Sequence, residues 1–196
     1  MASIGYQIGI HERGPEDSQQ WYALRVRSNF EKSVSFALEQ RGYTQFLPVY
    51  EQKSKWSDRV KTISKPLFSG YVFCQFDVTQ RLPILTTPGV VNVVGCGKIP
   101  APVADSEIAA VQKIVDSGIA ATPWPYCSVG QRVVIEAGPL AGVEGRVLDV
   151  RNSYRIVVSV SLLQRSLSAE IDRAWIRPIP EPTETIAQAE YLRDRN

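Results

Sequence analysis

His11 is the sole histidine of this 196-residue chain, and Cys74, Cys96 and Cys127 are its sole cysteines. Catalytic triads, Cys–His dyads and most metal sites set an imidazole or several thiolates side by side. One histidine in a polar stretch cannot supply that. The cysteines lie far apart in sequence and form no CxxC pair, so reduced thiols are expected rather than a zinc site or a disulfide framework. The nearest approaches to acid–base pairs are Asp105 with Glu107 and Asp58 with Lys61. The first pair suits the start of a helix and the second a polar loop. Neither a nucleophile elbow nor a GxxxxGK[ST] loop is present. The expectation is a protein that is not an enzyme and needs no cofactor and no metal.

Charge is the chemistry that the chain offers instead. The overall formal charge is only +2. Residues 21–65 nevertheless hold nine basic residues (Arg25, Arg27, Lys32, Arg41, Lys53, Lys55, Arg59, Lys61, Lys65) against four acidic ones. The stretches on either side, 1–20 and 181–196, are each net acidic. A basic segment between acidic ends suggests a surface for a polyanion such as nucleic acid.

Two kinds of element must position these residues. Residues 21–26 are apolar and β-rich, as a central strand requires. Ser28 or Asn29 can cap a helix on which Phe30, Val34, Ala37, Leu38 and Arg41 recur at three- and four-residue intervals, with Gly42 as its stop. Residues 46–50, 71–76 and 89–95 read as further strands. The polar stretch 52–66, with Trp56 and Ser57-Asp58 at its tip, reads as an extended hairpin or loop. A helix begins at Asp105, with Ile108, Val111, Ile114 and Val115 on one face. This order describes an α+β domain over 21–116, an antiparallel sheet with helices on one side.

Residues 117–126 carry two prolines and no charge, and read as a linker. Beyond them, five short β-rich runs at 132–136, 146–150, 155–160, 167–171 and 175–179 are joined by Gly138-Pro139, Gly142 and Asn152-Ser153 turns. These predict a small all-β, SH3-like barrel over 127–179. Residues 1–20 read as a flexible arm and 180–196 as an acidic tail. No run approaches the roughly 20 apolar residues that span a bilayer, and the first residues lack a basic-then-apolar signal pattern. A cytoplasmic monomer that does not engage membranes is expected.

Several motifs in register resemble the NusG-type transcription elongation factors. Trp21-Tyr22-Ala23-Leu24 followed by Asn29-Phe30-Glu31-Lys32 resembles that family's opening strand and helix start. Pro66-Leu67-Phe68-Ser69-Gly70-Tyr71-Val72-Phe73 resembles its F-P-G-Y-V strand entry, and residues 87–95 its later strand. Residues 129–145, from Val129-Gly130-Gln131-Arg132-Val133 to Gly138-Pro139-Leu140-Ala141-Gly142, resemble the KOW motif. The likeness runs from about residue 21 to residue 179. Trp56-Ser57-Asp58-Arg59 further resembles the specialised antiterminators of polysaccharide operons.

The resemblance implies an NGN domain followed by a KOW barrel. It implies that the first domain docks on the clamp helices of RNA polymerase through an exposed apolar patch, here Phe68, Tyr71 and Phe73. It implies that basic residues at the positions of Arg25, Arg27 and Lys32 approach the non-template DNA strand, and that residues 79–82 stand at the counterpart of a second polymerase contact. It also implies that the barrel recruits a partner, the termination factor Rho or the ribosomal protein NusE, through Leu140, Leu162, Leu163 and Arg165. Read from pattern alone, these aromatics and leucines fit a protein core equally well. A competing reading is a ribosome-associated or RNA-binding KOW protein that never meets polymerase.

Overall fold

The computed structural model describes residues 19–55, 60–125, 130–150 and 153–180. In chain order the strands are β1 (Gln19–Val26), β2 (Thr44–Phe46), β3 (Val49–Lys55), β4 (Val60–Pro66), β5 (Tyr71–Asp77), β6 (Val90–Val93), β7 (Gly95–Cys96) and β8 (Ile99–Pro100). They continue as β9 (Ala121–Pro125), β10 (Gln131–Ile135), β11 (Glu144–Val150), β12 (Ser153–Val160), β13 (Arg165–Glu170) and β14 (Ile176–Pro178). The α-helices are α1 (Glu31–Gln40), α2 (Leu82–Leu85) and α3 (Asp105–Asp116). The expected arm (up to residue 18), Trp56-Ser57-Asp58-Arg59, His11, Cys127 and the acidic tail beyond residue 180 lie outside the described residues.

The described residues divide into two compact units, one of residues up to 47 with 69–105 and the other of 48–68 with residues from 106 on. All of α3 but Asp105, and the segment 48–68, fall in the second of these units.

The first unit is built on an antiparallel sheet of order β2-β5-β1-β6. Strand alternation sorts its side chains. Tyr22 pairs with Cys74 and Leu24 with Val72 on one face, while Ala23 pairs with Phe73 and Arg25 with Tyr71 on the other. The first face packs Tyr22, Leu24, Val26, Val72, Cys74 and Phe76 against Val34 and Leu38 of α1 and Ile84 of α2. Val34 and Leu38 are four apart and Glu31 and Ser35 lie on the same buried stripe, so α1 presents one stripe to the sheet. Each of these fully buried aliphatic side chains contributes about 1.5–3 kcal/mol.

Local chemistry differs from expectation at the start of α1. Its N-cap is Phe30, with no side-chain cap, and Asn29 adopts the left-handed conformation at φ 66°. An asparagine tolerates that geometry because its short polar side chain costs little there. Arg41 is the C-cap residue and Gly42, at φ 80°, closes the helix as its glycine stop. The polar stretch expected as a hairpin or loop pairs as β3 with β4 from Val49↔Pro66 to Lys55↔Val60.

The second unit contains a six-stranded antiparallel sheet of order β14-β10-β11-β12-β13-β9. Val133, Ile135, Leu140, Ile156, Val160 and Leu167 are buried in it. The five expected runs appear as β10 to β14. A sixth strand corrects the linker reading. Ala121–Pro125 is β9, paired with β13 from Ala121↔Ala169 to Pro125↔Arg165. Proline excludes a central strand but not an edge, where every second N–H faces outward and is not needed. Pro123 and Pro125 are two apart and occupy one such alternate set. The α+β part followed by a strand-rich C-terminal part is the expected class.

Candidate functional site

Tyr71 opens β5 and stands opposite Arg25 of β1, which in turn stands opposite Asn92 of β6. Tyr71 is half-buried and Arg25 is exposed. Arg27, just past the strand, donates its backbone N–H to the Gly89 carbonyl at 2.9 Å and leaves its side chain exposed. Lys32, in the first turn of α1, is exposed as well. The three cations therefore flank one end of the sheet, with Arg25 on the face opposite to that covered by α1. Charged, long and solvent-facing side chains suit phosphate contacts that do not read sequence.

The aromatic residues depart from the expected exposed patch. Phe68 is 1% exposed and Phe73 fully buried. Phe73 stacks on Phe46 with ring centroids 6.2 Å apart, because β5 lies between β2 and β1 and sets Phe46, Phe73 and Ala23 in one row. In this conformation Tyr71 is the one member of the trio with surface to offer.

A similar split occurs in the C-terminal sheet. Leu140 is fully buried in the Gly138–Val143 turn, and Leu163 is 7% exposed. Leu162 is half-buried and Arg165 exposed. Leu162 and Leu163 lie on a single 3-10 turn, Ser161–Leu163, which ends at Gln164 in the left-handed conformation. The turn is held from α3, because the backbone N–H of Ser161 donates to Glu107 Oε1 at 3.1 Å. Lys113 of the same helix donates to the carbonyl of Ala141. Glu107 is thus a hydrogen-bonding group rather than half of an acid–base pair.

Sequence reasoning also missed several contacts. Arg41 reaches α2, donating to the carbonyl of Pro83 and to Thr87 Oγ1, each at 2.8 Å. Trp124 of β9 lies under the guanidinium of Arg155, 5.9 Å from its centroid, a distance at which the ring face attracts the cation. Arg155 also lies 3.9 Å from Glu170. Only a contact across the fold reveals such pairs.

Cys74 and Cys96 are free thiols. Burial pushes the Cys74 thiol up to about 12, so it stays protonated and inert as a nucleophile. Asp77 is held below the usual carboxylate range, first by the Thr79 hydroxyl and then by the Thr79 backbone N–H. It caps a surface turn and serves no evident chemistry. Among the described residues no group of three or more His, Cys, Asp and Glu could hold a metal ion, and no helix is long and apolar enough to cross a membrane.

Comparison with known proteins bears on this arrangement. Residues 19–112 match the NusG family model, described as transcription termination factor nusG. The transcription termination/antitermination protein NusG of Staphylococcus carnosus strain TM300 is 24% identical over 177 residues, spanning 79% of this chain and 93% of its own length. Its counterpart in Staphylococcus aureus strain Mu50 is 25% identical with the same coverage. A solved structure of Thermotoga maritima NusG is similar in fold, with a TM-score of 0.51 at 19% identity, over 83% of this chain and 98% of that one.

Proposed function

We infer that this chain, NusG-type over residues 19–112, is a non-enzymatic transcription factor that binds elongating RNA polymerase and acts in elongation, termination or antitermination. The observation that carries this reading is the family match over the segment that holds Tyr71, Arg25, Arg27 and Lys32 at one end of its sheet. The clamp helices are the proposed docking site, and Tyr71 is the contact residue. Phe68 and Phe73, being buried, serve as internal packing and not as contacts. A large, rigid aromatic ring suits a protein interface. Arg25, Arg27 and Lys32 approach the non-template DNA strand, where charge rather than base identity governs binding. Leu162 and Arg165 offer the C-terminal sheet's contact for a second partner, Rho or NusE, which the shared chain holds at raised local concentration. Leu140 and Leu163 support that surface from inside. Trp56-Ser57-Asp58-Arg59 favours the antiterminator branch, and a cytoplasmic location follows from the role.

The test offers the full chain purified core RNA polymerase and ribosomes together, and follows elongation through a terminator with and without the protein. Co-elution with polymerase and altered read-through are expected. An aromatic anchor is worth about 2 kcal/mol, so Tyr71→Ala should weaken polymerase binding about thirtyfold at unchanged stability. Co-elution with ribosomes alone would replace this reading with that of a ribosome-associated KOW protein.

A further inference from the structure

Glu31, the first residue of α1, is 6% exposed. A carboxylate at a helix start is usually solvated or bonded to its own helix, and burying it requires a donor. Here Oε1 accepts the backbone N–H of Gly70 at 2.8 Å. The carbonyl of Gly70 accepts the N–H of Val26 at 2.9 Å. Gly70 is therefore gripped on both sides, by α1 and by the end of β1. It has φ +84°, and a side chain there would meet only the Val26 carbonyl oxygen, 4.0 Å from its Cβ, so what marks the position is a backbone state that glycine adopts freely but does not hold by itself.

What Glu31 holds lies between the two halves of the proposed surface. Tyr71 follows Gly70 directly and pairs with Arg25. Val26 lies between Arg25 and Arg27, and Lys32 follows Glu31 in the helix. We propose that Glu31 is a positioning residue, whose buried carboxylate anchors Gly70 and so sets Tyr71 and the Arg25–Arg27 edge in one fixed frame for polymerase and DNA. The proposal rests on the function inferred above and deepens it. A hydrogen bond to a charged acceptor is stronger than a neutral one, which matters most where the chain itself is least restrained. Turning the carboxylate inward also keeps an acidic group off the surface where Arg27 and Lys32 stand.

The experiment uses the full chain. In the wild type the Gly70 amide should exchange slowly with solvent by NMR, and free exchange there would overturn the proposal. Glu31→Ala should keep the wild-type circular dichroism spectrum, shift the Gly70 and Tyr71 amide resonances and weaken core polymerase binding about tenfold, the scale of one lost charged hydrogen bond. Glu31→Gln keeps an oxygen acceptor and should restore binding to within about threefold of wild type. Normal binding by Glu31→Ala, or equal loss in the Ala and Gln variants, overturns the assignment. Should Glu31→Ala fail to fold, Glu31→Asp, whose shorter arm falls short of Gly70, takes its place in the same comparison. Tyr71→Ala run in parallel separates the two ideas. Unchanged binding there counts against the aromatic contact, whereas the role of Glu31 stands or falls on the contrast between its Ala and Gln variants.

Discussion

Cys74 and Cys96 are both read in sequence simply as reduced thiols, yet their surroundings make them opposites. Cys74 is fully buried in the sheet core, and Cys96 is exposed. In a Cys127→Ser background, iodoacetamide at pH 8 should label Cys96 promptly and Cys74 only on unfolding. The raised Cys74 value also has a pH consequence. The folded state holds this proton more tightly than the unfolded chain, whose thiol titrates near 9.0. Its stabilising effect is therefore complete below about pH 9 and is lost as pH rises from there toward 12. The urea midpoint should fall above pH 9 less steeply in Cys74→Ala than in the wild type. Residues matched by motif divide in the same way. Leu140 has no exposed surface, so Leu140→Ala should cost about 2–5 kcal/mol of stability, whereas half-buried Leu162→Ala should cost clearly less in the same urea titration. If the two cost the same, the distinction between internal and contact leucines is wrong. Motif matching could name both but had no means of telling them apart, since burial is set by the whole sheet.

At the scale of elements, periodicity located α1, α3 and the strands β10 to β14 because each has an apolar stripe or alternation of its own. It missed β9, whose prolines and lack of charge resemble a linker. An edge strand needs hydrogen bonds on one side only, and its partner β13 is some forty residues away in sequence. The amides of Thr122 and Trp124, the non-proline set facing β13, should be protected from hydrogen exchange, and rapid exchange at both would return this segment to a linker. The four-residue helix α2 was missed for a related reason. It is too short to show a period, and it is held by Arg41 from the end of α1. At Gly138 the turn signal and the fold agree. Its φ is +77° and a Cβ there would stand 2.7 Å from the Trp175 ring, so both the backbone and the available space require glycine.

For the molecule as a whole, β9 changes where the C-terminal sheet begins. A fragment covering residues 126–180 lacks the strand that covers the edge of β13, whereas one covering 119–180 retains it. Both should give β-type circular dichroism spectra, and the longer should melt at least about 5 °C higher, the shift that roughly 1 kcal/mol produces in a domain of this size. Equal melting temperatures would show that β9 contributes nothing to the sheet's stability.

The order of an α+β part and a strand-rich part, the single histidine and the likeness to NusG were all legible in the sequence. They depend on composition, local periodicity and short motifs, which are properties of neighbouring residues. The tertiary structure alone decided that Phe68 and Phe73 are buried while Tyr71 keeps exposed surface, and that α3 lends Glu107 to the Ser161 turn. It alone showed Glu31 turned inward to Gly70, 39 residues away. Each of these depends on which distant backbone groups share a sheet edge or a helix end. A buried polar group takes whichever donor the completed fold brings within reach, and no spacing along the chain records that choice.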